Sequence, residues 1–337
     1  MLIRATNWIG DAIMTLPAIA SIRQGFPNAE ITVLAKEWVA EIFVLSPDVD
    51  KIIIFDDNGR HKGVCGKIRL ANEIRTYDFD MAILLQNAIS AAIITAFAGI
   101  PKRVGYNTDA RSFLLTNAIK LRKETKKLHQ TKYYLEMVKE LGCPNIYNDV
   151  FLKVPHEYLL IASQLLENNS ISNGDMIIGM APGAAYGPAK RWLTDRFTKL
   201  ADMLADELNA KILLFGSKQD LQMTQEIATS SGHKIVDFAG KTTLKEALAL
   251  INACHLFISN DSGLMHVAGA LDKPTVAIFG STNHITTSPI GSRCKIVRKD
   301  ISCAPCLKKV CDSDFRCMTS ISVEDVFIVA KDLMENG

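Results

Sequence analysis

The sequence predicts an α/β protein built from two doubly wound parallel-sheet domains in tandem, and three observations predict it. Short, nearly continuous apolar runs alternate with longer amphipathic segments, the pattern of strands buried on both faces and joined through helices. The alternation runs through residues 1–165 and starts afresh at residue 176. The chain has 337 residues, about twice the ~150 expected of one domain.

In the first series the runs at residues 2–5, 31–34, 52–55 and 81–85 read as strands of a parallel sheet. The segments 12–25, 37–45, 67–76 and 89–98 between them carry helical periodicity, and a helix over 129–141 closes the series before Gly142, Pro144 and Asn145 break the pattern. Residues 166–175, LENNSISNGD, are polar and turn-rich and are the expected linker. The second series has strands at 176–180, 211–215, 234–238, 256–259 and 275–279, with helices near 194–209, 219–230, 243–252 and 263–271. The expected division is therefore 1–165, a linker at 166–175, and 176–322, with a final helix in 323–337 that packs back on the first domain. Open sheets bind ligands beyond the carboxyl ends of their strands. The expectation is thus an active site in a cleft between the domains.

Composition limits the function. Lys plus Arg is 38 and Asp plus Glu 36, a net charge of +2, so no global field draws the chain to nucleic acid. The most apolar stretch, residues 88–100, falls short of the roughly 20 residues that span a bilayer. Asn7 and Asp11 interrupt the first apolar run, which argues against a secretion signal and for the cytoplasm. Eight cysteines are too few for a disulfide scaffold of this length.

Four strand-to-helix junctions carry chemistry. The first strand runs into NWIGDAIMTLPA, residues 7–18, placing Gly10 where another group can approach the backbone and Asp11 where a carboxylate can act as general base. The rival reading of Asp11 is an ordinary first-turn acid. The strand at 176–180 opens into APGAAYGPAKRWL, residues 181–193, whose small residues leave N–H groups for an anion beside the cation Lys190. The strand at 256–259 leads into NDSGLMHVAGAL, residues 260–271. There Asp261 and Ser262 would cap a helix, and the N–H groups of Ser262, Gly263 and Leu264 suit a pyrophosphate. After the strand at 211–215 comes GSKQD, where Ser217 and Asp220 would face a ribose diol, or Asp220 would simply sit in a helix first turn. A GxGxxG loop after the first strand is absent, which counts against nicotinamide chemistry, and no GxxxxGK[ST] occurs.

NWIGDAIMTLPA, PGAAYGPAKRW, LLFGSKQD, AGKTTLKEALALINAC and SNDSGLMHVAGAL, in this order, resemble glycosyltransferase family 9, and within it the ADP-heptose:lipopolysaccharide heptosyltransferase II type. The resemblance implies a GT-B fold and inverting transfer of L-glycero-D-manno-heptose from ADP-heptose to the first heptose of a heptosyl-Kdo-lipid A acceptor. It implies that Asp11 is the catalytic base and that Lys190 holds the departing diphosphate. It further implies that Asp261, Ser262, Gly263 and His266 form the donor loop, with Asp220 near ribose. No DxD pattern is evident, so transfer without a metal or other cofactor is expected. Heptosyltransferase I, or another family 9 enzyme with a different acceptor, is the alternative within this class. A nucleotide-sugar-binding protein without transfer is the alternative outside it.

Acceptor contacts are expected from the first domain. Residues 100–132 hold nine basic side chains, among them Arg103 and Arg111, against Asp109 and Glu124, and Arg60, Lys62, Lys67 and Arg69 form a second cluster. Such patches suit an anionic lipopolysaccharide core and peripheral contact with the anionic inner-membrane surface. Asn87 and His129 are further acceptor candidates. The sequence leaves the oligomeric state open. Finally, Cys303, Cys306, Cys311 and Cys317 fall within 15 residues. By count they fit a structural tetrahedral metal site, although the spacing matches no standard zinc or iron–sulfur run; ordinary thiols are the other reading.

Overall fold

The computed structural model describes residues 1–146 and 152–336. The chain divides into two compact units, Met1–Val150 and Phe151–Gly337. In the first, β1 (Leu2–Arg4), α1 (Ile9–Gly25), β2 (Thr32–Ala35), α2 (Glu37–Val44), β3 (Lys51–Ile54), α3 (Gly63–Arg75), β4 (Met81–Leu84) and α4 (Ile89–Phe97) follow the expected alternation. Then come β5 (Lys102–Tyr106), β6 (Asn117–Ile119) and α5 (Gln130–Lys139). The sheet order is β3-β2-β1-β4-β5-β6, and its pairings are parallel. Strands β5 and β6 were not expected, because Lys102, Arg103, Gly105 and Asn117 hide the apolar run at a sheet edge.

The second unit contains α6 (His156–Glu167), β7 (Ile177–Ala181), α7 (Thr194–Leu208), β8 (Lys211–Leu214), α8 (Leu221–Ser230), β9 (Val236–Asp237), α9 (Leu244–Ala253) and β10 (Leu256–Asn260). It continues with α10 (Gly263–Ala270), β11 (Thr275–Ile278), α11 (His284–Thr287), β12 (Cys294–Val297), α12 (Arg316–Thr319) and α13 (Val323–Asn336). The parallel order β12-β11-β10-β7-β8-β9, read from its β9 edge, repeats that of the first unit. Each sheet therefore reverses its winding once, between β1 and β4 and between β7 and β10. Ligands of open α/β sheets bind just beyond the strands at such points.

Two expectations about organisation change. The segment 166–175 does not lie between the units: α6 packs on α9, with Tyr158, Ala162 and Leu166 at helical spacing as its buried face. Both belong to the second unit, so the segment lies inside it. The final helix buries Val326, Ala330 and Leu333 in the core of the second unit, alongside Ile178, Leu204 and Val276. Its assignment to the first domain is corrected accordingly; residue 337, the end of the range expected for it, lies outside the described residues. The apolar stretch near residue 90 forms α4, whose Ala91, Ala92 and Ile94 are buried against the first sheet's core. Among the described residues no helix is long and apolar enough to cross a membrane.

Candidate functional site

In the second unit the ends of β7 and β10 bring the two expected donor loops together. Lys190 Nζ lies 2.6 Å from Asp261 Oδ2, with the lysine side chain 14% and the aspartate 4% exposed. The same Nζ approaches the Asp261 carbonyl at 3.4 Å, and Thr282 Oγ1 donates to Asp261 Oδ2 at 2.5 Å. The ammonium also sits 5.2 Å from the centre of the Tyr186 ring. An ammonium has three N–H donors. Two are directed at Asp261.

Asn260, fully buried at the end of β10, fixes the two loops to each other. Its Oδ1 accepts from Trp192 N–H at 3.0 Å, and its Nδ2 donates to the Pro182 carbonyl at 2.6 Å. Sequence reasoning overlooked Asn260, Thr282 and Tyr186. Asn260 adjoins Asp261, and its position at a strand end was the available signal. Neither Asp261 nor Ser262 caps α10 as expected: Asp261 is taken by Lys190 and Thr282, and Ser262 pairs its hydroxyl with Ser259 at 3.0 Å. With no capping side chain at its N-terminus, α10 presents N–H groups and the positive end of its dipole. Gly263 and Leu264 form its first turn, and His266 is buried in the following residues.

Asp220 sits in a helix first turn, the other reading its position offered. Ser217 N–H and Oγ–H donate to its Oδ2 at 2.9 and 2.7 Å, and Arg191 donates to its Oδ1 at 3.3 Å. A Cβ on Gly183 would sit 2.5 Å from this carboxyl carbon. Ser217 and Asp220 thus form a capping box that holds one wall of the donor loop.

In the first unit, Asp11 stands in the first turn of α1 and Gly10 is buried beside it. The charge of Asp11 reaches Tyr134 of α5, where burial first and then that charge push the phenol well above its ordinary value. The turn carrying Asp11 is clamped from beneath by Arg4, which sequence reasoning passed over as part of an apolar strand. Arg4 is 1% exposed and donates to the Ala5 and Leu34 carbonyls and to Asn7 Oδ1. Burial pulls its guanidinium down to about 10. Trp38 Nε1 holds the Asn7 carbonyl from the other side at 2.8 Å.

Several expected acceptor residues have partners within the first unit, some buried and some at the surface. Arg111 is fully buried and donates to the carbonyls of Tyr106 and Gln86 and to Asn87 Oδ1. Desolvation lowers its guanidinium to about 10. Asn87 spends its other end on Tyr133 Oη at 2.6 Å. Arg103 donates to the Leu114 and Ile100 carbonyls, and His129 caps α5 by accepting from Thr131 N–H. Arg60 pairs with Glu73, and Arg69 donates to the Arg60 carbonyl. Lys120, Arg122, Lys123, Lys126, Lys127 and Lys132 face solvent, as do Lys102 and, in the second cluster, Arg60, Lys62 and Arg69.

The profile of glycosyltransferase family 9 (heptosyltransferase) matches residues 67–315. Lipopolysaccharide heptosyltransferase 2 of Salmonella typhimurium is 30% identical over 306 residues, covering 88% of this chain and 87% of that one. Lipooligosaccharide heptosyltransferase 2 of Haemophilus influenzae is 32% identical over 308 residues, 88% of each. Among solved structures, the ADP-heptose lps heptosyltransferase II of E. coli superposes with a TM-score of 0.84 at 28% identity, covering 99% of this chain and 98% of that one. A family 9 glycosyl transferase from Veillonella parvula gives 0.91 at 26% identity, covering 100% and 97%. The two sheets are those of the GT-B heptosyltransferases, and the chain belongs to glycosyltransferase family 9.

Proposed function

We propose that this glycosyltransferase moves a heptosyl group from ADP-heptose to the first heptose of a lipopolysaccharide inner core. The observation that carries the donor side is the Lys190–Asp261 pair at the uncapped start of α10. Lys190 offers its remaining N–H to the diphosphate, and the α10 N–H groups take further phosphate oxygens. Asp261 holds the lysine in place. On this reading the charge of the leaving ADP is met by protein groups, and a divalent cation is not required for that step.

Asp11 supplies the acceptor side. Its carboxylate takes the proton of the acceptor hydroxyl while that oxygen bonds to the anomeric carbon. The bond from the anomeric carbon to the diphosphate breaks, and ADP leaves with inversion. The exposed lysines between residues 120 and 132 meet phosphates and carboxylates of the core and the anionic cytoplasmic face of the membrane, to which the protein binds peripherally. The heptosyltransferase 2 relatives at 30–32% identity favour this acceptor over that of heptosyltransferase 1, whose Pseudomonas aeruginosa representative is 24% identical.

The test is incubation with ADP-heptose and two synthetic Kdo-lipid acceptors, one bearing the first heptose and one lacking it. Transfer to the heptose-bearing acceptor alone is the expected result. Equal or exclusive transfer to the other contradicts the assignment.

A further inference from the structure

The four-cysteine loop is the chemically distinctive cluster that donor and acceptor roles leave unused. Cys303, Cys306, Cys311 and Cys317 line one cavity, together with Ala189, Ser281 and Phe315. All four are thiols. Cys311 Sγ also meets Ser313 Oγ at 3.5 Å.

The same loop supports the donor loop. The Lys309 carbonyl accepts from Ala189 N–H at 3.0 Å, and the Leu307 carbonyl accepts from Tyr186 Oη at 2.8 Å. Leu307 N–H in turn donates to the Ser281 carbonyl at 2.8 Å. A Cβ at Gly187 would fall 2.4 Å from the Lys309 carbonyl oxygen, so the two backbones are in direct contact. Lys190 and its neighbours thus rest on a segment, residues 301–315, that has neither helix nor strand. Ile301, Ala304 and Phe315 pack partly buried on the core of the second unit, but between the last two Leu307 and Val310 are 58% and 64% exposed. A loop with so little core of its own needs another source of rigidity.

Four sulfurs are the complete shell of a tetrahedral soft-metal site, and such a site supplies folding energy directly to a loop that cannot build a core. The thiols are not yet gathered: among the described residues no three His, Cys, Asp or Glu side chains are placed to hold an ion. Each Sγ, however, can move between staggered positions about its own Cα–Cβ bond. We infer that Cys303, Cys306, Cys311 and Cys317 close around a thiophilic divalent transition-metal cation, and that this structural site fixes the loop on which Lys190 rests. As each metal–sulfur bond forms, the thiol loses its proton to solvent. The link to donor affinity rests on the function proposed above; the metal site itself does not.

The full chain is purified under reducing conditions without chelator, its metal content is measured, and the stripped protein is reloaded with Zn²⁺ or Co²⁺. One equivalent of metal per chain and a sulfur-to-cobalt charge-transfer band are expected, both lost in Cys306→Ser and Cys317→Ser. Stripping should weaken ADP binding about tenfold, and Zn²⁺ should restore it. If the serine variants fail to fold, stripping and reloading of the unaltered chain carry the test. Absence of stoichiometric metal and of the cobalt band overturns the site, as does full retention of metal by both variants. Stoichiometric metal with unchanged ADP affinity overturns the coupling to the donor loop. Failure to transfer heptose, with metal bound as expected, counts against the proposed function and not against this site.

Discussion

Lys190 and Asp261 form a 2.6 Å ion pair between the ends of two adjacent strands, and the aspartate is the more deeply buried partner. Removing one member of a buried pair leaves the other charge uncompensated, at a cost of about 3 kcal/mol. Lys190→Ala is therefore expected to lower stability and to weaken ADP binding and turnover together. The double variant Lys190→Met/Asp261→Leu should regain much of the stability and none of the ADP affinity. Thermal melts with and without ADP distinguish the two effects; ADP affinity preserved in the double variant would remove the pair from the donor site.

Arg111 was expected to meet the acceptor and instead braces the loop after β4. Replacing it with Met strands the carbonyls of Gln86 and Tyr106 and the amide of Asn87. Denaturant unfolding should show a loss of about 3 kcal/mol. A variant of unchanged stability that has lost only acceptor affinity would return Arg111 to the acceptor site.

The exposed lysines give the opposite expectation. Changing Lys120, Lys123, Lys126 and Lys127 to Ser should leave the melting temperature within a few degrees of wild type, since exposed substitutions cost little. Each lysine near an anionic surface contributes roughly 1 kcal/mol. Binding to vesicles containing phosphatidylglycerol should thus fall at least about tenfold at low salt, and the difference should shrink as salt is raised. Co-sedimentation provides the measurement, and equal binding of both proteins at low salt would contradict it.

Asp325 near the start of α13 carries a pH dependence. The hydrogen bond from Lys299, with that from Ser322 N–H, holds its carboxyl below the ordinary 3.8. The ionised form is thus favoured by folding. Its contribution is complete well above 3.8, declines as the pH falls through that value, and is gone below the folded-state value. Asp325→Asn should be less stable than wild type at neutral pH, and the gap should close on acidification below pH 4. A gap that stays constant in acid melts would rule out this origin.

Much of the architecture was legible because buried parallel strands write themselves as apolar runs. The exceptions have local causes. At β5 two cations open the strand, and α6 buries only every fourth residue. The donor loops were legible from Lys190, Asp261 and the small residues around them. The true partners of Arg4, Arg111 and Asp220 were not, since each is held by groups supplied through the fold, or by a cap that an exposed acid would equally suggest. The support of Ala189 by Lys309 was hidden for the same reason: a backbone hydrogen bond spanning 120 residues leaves no trace in side-chain chemistry.

The account turns on a carboxylate that removes a proton and takes no part in holding the nucleotide. Asp11→Asn, measured for heptosyl transfer and for ADP binding on the same preparation, tests this most directly. Turnover should fall roughly 10²- to 10⁴-fold, the range for loss of a general base, with ADP affinity within about twofold of wild type. Turnover close to wild type, or a loss of transfer explained entirely by weaker ADP binding, would contradict it.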